Sequence, residues 1–223
     1  VHPRVVVGLA GTIEGIDTTS SAARMKIESK GYGITPYAAV KITDIFSASA
    51  LFSYVWSEVD ARRDINVAQL DGSTTSTRVT AAGTLSANTN FGNFTFGGDL
   101  GIIYIGASQD DLRMDDANGT TTNVNDAFTD TGTISLAVQP GYLIELDRKT
   151  NTWVEPFARF EYSYDFISTD IVNHPNDDDA FTVGAGFNVF TDGNVAFSAG
   201  ASTELGRENY TGVSANLTAR VAF

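Results

Sequence analysis

His2 and His174 are the only imidazoles in this chain of 223 residues, so any nucleophile activated by a histidine has two places to sit. His2 stands beside Pro3 at the start of the chain. His174 lies in the polar run Asn173–Asp179 (NHPNDDD), where a carboxylate and an imidazole together would activate water. No matching aspartate pair accompanies it, so His174 reads as part of a solvated loop and the chain as no enzyme. Asp177, Asp178 and Asp179, and the segment Gln109–Asp116 (QDDLRMDD), offer oxygens of the kind that hold Ca²⁺. Neither run has the spaced D-x-D-x-D-G ligand pattern, and the expectation is acidic loops with no metal and no cofactor. Asn118-Gly119-Thr120 matches a glycosylation sequon, but Asn-Gly is equally a turn signal, and the turn is the simpler reading.

A third set of charges is patterned differently. Glu14, Lys41, Arg78, Asp99, Glu145, Glu155, Arg159, Glu161, Asp165, Glu204 and Arg220 all occupy the polar positions of alternating segments. In an extended strand such residues share one face. Inside a narrow barrel their opposite signs should pair across strands, because unpaired charge away from water is costly. Two outcomes are open: a salt-bridge network that plugs or stiffens a lumen, or a water-filled pore with slight cation preference.

The elements that must position these charges number about ten: Arg4–Asp17, Ile27–Ile42, Phe46–Glu58, Arg78–Asn90, Phe94–Ser108, Gly132–Leu146, Thr152–Phe166, Phe181–Phe190, Asn194–Leu205 and Thr211–Phe223. In the seventh, Val154, Pro156, Ala158, Phe160, Tyr162, Tyr164 and Phe166 oppose Glu155, Arg159, Glu161, Ser163 and Asp165. In the third, Phe46, Ala48, Ala50, Phe52, Tyr54 and Trp56 oppose Ser47, Ser49, Ser53 and Ser57. Most segments exceed the usual soluble strand and reach the roughly 9–11 residues a tilted strand needs to cross a bilayer. Connections come in two classes. Thr43-Asp44, Asn90–Asn93, Asp147–Asn151 and Thr191–Gly193 are tight turns; Thr18–Met25, Asp60–Thr77, Gln109–Asp130 and Ser168–Ala180 are longer and polar, with Gly206–Tyr210 a short exception. Such parity is expected of outer-membrane barrels, with periplasmic turns and extracellular loops. Aromatic residues near the segment ends (Trp56, Tyr164, Phe166, Phe190, Phe94, Phe223) suit interfacial girdles.

Composition agrees. No apolar run approaches the roughly 18 residues of a membrane helix, which leaves alternating strands untouched. The chain has no Cys, excluding disulfides and thiolate metal sites and suiting passage through an oxidising periplasm. Its net charge of −13, from 27 acidic and 14 basic residues, excludes nucleic acid as a partner. The expected fold is therefore all-β: one antiparallel transmembrane outer-membrane β-barrel domain over residues 1–223, with about ten strands, facing outer-membrane lipid and lipopolysaccharide.

The last strand resembles the terminal strand of bacterial outer-membrane barrels. Val213, Ala215, Leu217, Ala219, Val221 and Phe223 alternate with Ser214, Asn216, Thr218 and Arg220, and the resemblance implies a signal read by the barrel assembly machinery. Gly31-Tyr32-Gly33-Ile34-Thr35-Pro36-Tyr37, Gln139-Pro140-Gly141-Tyr142, Glu155–Tyr162 (EPFARFEY) and Leu205–Tyr210 (LGRENY) resemble segments of the translocator domain of autotransporters of type Va secretion. That resemblance implies a barrel that anchors or exports an N-terminal passenger domain. It also implies twelve strands and a helix threaded through the pore in the full protein, where about ten strands and no amphipathic helix are read here. The alternative is a free-standing small barrel acting as an adhesin, structural protein or narrow channel.

Overall fold

The structure is a computed structural model that describes residues 4–21, 24–65, 68–116, 119, 121–169, 178–191, 195–207 and 212–221. His2, His174, Asp177 and Phe223 lie outside the described residues. The chain runs as β1 (Val5–Ser20), β2 (Met25–Lys41), β3 (Phe46–Ile65), β4 (Ala68–Phe91), β5 (Phe94–Gln109), β6 (Leu112–Asp115), β7 (Thr121–Val124), β8 (Ala127–Tyr142), β9 (Ile144–Asp147), β10 (Thr152–Ser168), β11 (Asp179–Phe190), β12 (Val195–Leu205) and β13 (Gly212–Val221). Ten long strands form one antiparallel meander in the order β1-β2-β3-β4-β5-β8-β10-β11-β12-β13. Each is paired with its neighbour in sequence along the path, so all ten expected segments are strands. Among the described residues β1 pairs only with β2 and β13 only with β12, giving a curled half-barrel.

The tight turns are built from their own side chains. Thr43 Oγ1 accepts the backbone N–H of Ile45 and of Phe46, at 3.2 and 2.9 Å. The carboxylate of Asp147 accepts the N–H of Lys149 at 2.8 Å and the hydroxyl of Thr150 at 3.0 Å. These bonds hold the Asp147 carboxyl below its usual range, the Lys149 N–H contributing most. Gly92, at φ 61°, supplies the left-handed residue between β4 and β5.

At the opposite end, two stretches expected as polar loops are strands. Asp60–Thr77 is a hairpin tip in which β3 and β4 stay paired from Phe46↔Ala87 to Ile65↔Ala68 without a register shift. Gln109–Asp130 contains β6 and β7, which prolong the β5–β8 hairpin, and β6 also pairs with β4 from Asp71↔Asp115 to Ser73↔Arg113. The two hairpins thus form a tall wall on one side of the sheet, while β11 and β12 stop short.

Polarity reverses along that wall. From Phe46 to Trp56 the even residues of β3 are apolar, with Phe46, Phe52, Tyr54 and Trp56 exposed, and the odd ones include Ser47, Ser49, Ser53 and Ser57. From Glu58 onward the even residues are Glu58, Asp60, Arg62 and Asp64, while Ala61 on the odd side is buried. On β2 the same change falls between Tyr32 and Lys30, register neighbours of Trp56 and Glu58. Beyond this row Ala61, Leu70, Leu112 and Met114 pack together with Met25 and Ile27 against them. Leu70 and Met114 are each 2% exposed. This is the one hydrophobic core cluster among the described residues, and it lies on the face that carries serine and charge lower down.

Candidate functional site

Register places all eleven expected charges on one face of the sheet. Glu14 is opposite Gly31, which is opposite Ser57. Arg78 on β4 reaches back over these two strands: its Nη2 donates to Glu14 Oε2 at 2.6 Å, and Ser57 Oγ lies 3.5 Å from Glu14 Oε1. A span of that kind requires the sheet to be concave on this side. It also requires small residues underneath: a Cβ on Gly31 would come within 2.8 Å of Glu14 Cγ and 2.5 Å of Ser57 Oγ.

The same construction recurs in the middle of the sheet. Asp99 on β5 is opposite Ala137 on β8, which is opposite Glu161 on β10. Arg159 covers Ala137 by donating from Nη1 to Asp99 Oδ2 at 2.8 Å and from Nη2 to Glu161 Oε2 at 2.9 Å. Ser86 donates to the other Asp99 oxygen at 2.7 Å. Near the tall end, Arg207 bridges Asp165 and Glu204, each at 2.8 Å, and Thr133 donates to Asp165 Oδ1 at 2.5 Å. Arginine suits these places because its planar fork engages two carboxylates at once.

The remaining expected charges behave otherwise. Lys41 pairs with Asp44 and Glu145 with Arg148, both within their own turns. Arg220 makes no ion pair among the described residues. Glu155 is held by neutral groups: Thr95 Oγ1 donates to Oε1 at 2.5 Å across Gly141, and Asn188 Nδ2 to Oε2 at 2.9 Å. Arg207 did not belong to the expected set, since it follows β12 in what reads as a turn. Phe157 was also missed, although its odd number puts it among the polar residues of β10. Its ring lies over Gly186 and Gly200, where a Cβ on Gly186 would come within 2.7 Å of it. Phe190, expected in a girdle, instead shares this face with Trp153, its register partner.

The opposite face is apolar. Phe94 and Tyr142 stack edge to face at 5.0 Å near the tight turns, and Leu100, Ile102, Leu136, Val138 and Phe160 stand exposed along the middle strands. On β13, Val213 and Leu217 are 80% and 72% exposed, with Ala215 and Ala219 on the same side. The acidic segment Gln109–Asp116 is engaged internally. Asp111 accepts the Asp126 N–H at 2.7 Å, and Asp115 is held below its usual range by the Thr121 hydroxyl and then by Arg113. Among the described residues no three His, Asp or Glu side chains converge on a point that would hold a metal ion.

A sheet apolar on its convex side and bridged by arginines on its concave side is the wall of a membrane barrel turned inside out relative to a soluble one. The sequence profile of the autotransporter β-domain matches residues 1–217. The chain belongs to the autotransporter β-domain family. Among solved structures it is similar to the translocator domain of autotransporter NalP from Neisseria meningitidis. The two share 18% identity with a TM-score of 0.69, over 97% of this chain and 76% of that one. It is also similar to the β-domain of the Bordetella autotransporter BrkA, at 13% identity and a TM-score of 0.61, over 98% of this chain and 92% of that one. No curated protein matches it in sequence. This autotransporter β-domain is thus an all-β, antiparallel outer-membrane barrel fold that serves protein secretion.

Proposed function

We propose that residues 1–223 form a single barrel domain that anchors an N-terminal passenger in the outer membrane and exports it to the cell surface. The observation that carries this reading is the reversal of face polarity at the Tyr32–Trp56 row, in a chain whose family profile covers residues 1–217. Below that row the convex face meets lipid, and the eleven charges line a lumen. The tight turns then lie in the periplasm, and the tall hairpins stand outside the cell. Above the row the outward charges Lys26, Lys30, Glu58 and Arg62 meet the lipopolysaccharide headgroups. Val213, Ala215, Leu217, Ala219 and Val221 of β13, together with Phe223 outside the described residues, make up the segment that the assembly machinery engages. The charges of the lumen stiffen it and leave a polar path; they carry out no reaction.

Export is tested by joining an epitope-tagged passenger upstream of Val1 and expressing the fusion in a Gram-negative host. The expected result is a tag cleaved by protease added to intact cells, beside a barrel that migrates differently before and after boiling. A correctly inserted barrel whose tag stays protected would overturn export while leaving the barrel intact.

A further inference from the structure

Glu155 differs from every other carboxylate described on the concave face. Glu14, Asp99, Glu145, Glu161, Asp165 and Glu204 each meet an arginine. The two oxygens of Glu155 each accept one bond from a neutral donor, Thr95 or Asn188. Arg63 and Arg220, the cations on the strands of this face without an ion pair among the described residues, stand far from Glu155: Arg63 at the projecting end of β3 and Arg220 on β13, three strands from β10. Glu155 therefore brings an uncompensated negative charge into the wall, where charge is expensive unless paired.

Space adjoins it. The carboxylate lines a cavity of about 390 Å³ whose polar walls include, beside its partners Thr95 and Asn188, the amides of Asn88, Asn90 and Gln139, side chains that can each turn a carbonyl oxygen inward. A second cavity of about 390 Å³ is lined by Trp153, Leu143 and Phe190 with Gly92 and Asn93 of the turn, and the two cavities share Leu143 and Phe190. The two adjoining cavities together offer a charged acceptor and amide acceptors on one side and a mainly aromatic and aliphatic wall on the other.

That combination selects its occupant. An anion is repelled by Glu155, and a neutral molecule leaves the charge uncompensated. A bare divalent ion finds a single carboxylate and makes no use of the apolar half. An ammonium or guanidinium on a short aliphatic stem fits both parts, with its charge at Glu155 and its methylenes against Trp153 and Phe190. We propose that these adjoining cavities bind an alkylammonium or alkylguanidinium group. Its source is either a Lys or Arg side chain of a polypeptide lying in the barrel or a free alkyl diamine. The proposal rests on the reading of the concave face as a lumen.

The test uses the whole chain folded in detergent micelles, with the boiled and unboiled migration checked first, and titrates it calorimetrically with 1,4-diaminobutane and with arginine methyl ester. Both probes are expected to bind saturably, about tenfold or more weaker in Glu155→Gln and unchanged in Asp60→Asn on the projecting wall. Asn188→Lys places an ammonium on the direct register partner of Glu155. It is expected to abolish probe binding and raise the thermal midpoint. A folded Glu155→Gln barrel that binds as the parent does, or an Asn188→Lys barrel that still binds, would sink the proposal. A chain without the barrel's migration shift would sink the lumen reading itself. In a chain extended by its passenger, probe binding regained only after the passenger is cut away assigns the site to a threaded Lys or Arg. Binding that persists with the passenger attached assigns it to the free amine.

Discussion

Below Trp56, β3 presents phenylalanine, tyrosine and alanine outward and serine inward; above it, the same strand presents Glu58, Asp60 and Arg62 outward and buries Ala61. Backbone and register are continuous through the change. In the orientation proposed above only the solvent differs: hydrocarbon outside and water inside below the row, and water on the outer face above it. In the upper stretch Leu70, Leu112 and Met114 make a small conventional core, stabilised as in soluble proteins by removal of apolar surface from water. In the lower stretch the same kind of residue is left on the outside and gains nothing from its neighbours until lipid surrounds it. The two regions show that hydrophobic position in this chain reports the surroundings of each row rather than the inside of the molecule.

This contrast can be broken most severely at Leu70. Leu70→Ala should cost the projecting wall about 2–5 kcal/mol, seen as new protease cleavage near the β3–β4 tip while the boiled and unboiled forms still migrate apart. Loss of the migration shift as well would mean that the wall and the membrane stretch are one cooperative unit. On the other side of the row, Leu136→Lys should destabilise the barrel in lipid by about 2–4 kcal/mol, whereas Ser73→Lys, above it, should stay within about 0.5 kcal/mol. Equal costs in denaturant unfolding from bilayers would displace the boundary. Arg159→Ala leaves Asp99 and Glu161 without their cation and should cost about 1–3 kcal/mol, at the lower end because the group keeps some solvent contact. Adding Asp99→Asn and Glu161→Gln should recover much of that loss; failure to recover would show that Arg159 acts by packing.

The smallest effect expected is acid sensitivity of the tip. Arg62 holds the Asp71 carboxyl below its usual value of 3.8. A carboxyl depressed in the folded state adds stability above its unfolded value and loses it as pH falls through the folded one. Protection of β3–β4 tip amides from hydrogen exchange should therefore drop below pH 3.8, and Asp71→Asn should remove that dependence. A drop near neutral pH would point to another group.

The membrane stretch was legible in the sequence because each of its strands alternates cleanly, as in Thr152–Phe166, and the tight turns carry Asp, Asn and Gly. The projecting wall was not. Asp60–Thr77 scatters its few apolar residues (Ala61, Ile65, Val67, Ala68 and Leu70) without a sustained alternation, and its Asp, Ser, Thr and Gly content reads as a loop. It is extended because it inherits the register of the hairpin beneath it. Phe190 was misplaced for a related reason: nearness to a strand end suggested a girdle, whereas parity with Asn188 puts it on the concave face. The alignment of the eleven charges was readable from numbering alone, but their partners were not. Glu14 with Arg78, and Arg159 with Asp99, meet across intervening strands. Those contacts depend on curvature and on small residues such as Gly31 and Ala137 lying between, which no single strand reveals.

The unbroken ladder from Phe46↔Ala87 to Ile65↔Ala68 has a mechanical consequence. With neither bulge nor hinge at the lipid boundary, β3 and β4 behave as a single beam clamped in the bilayer. A sideways force on the exposed tip is carried as bending along the strands and as shear through their hydrogen bonds. The wall thus couples whatever touches its tip directly to the stiffness of the sheet below.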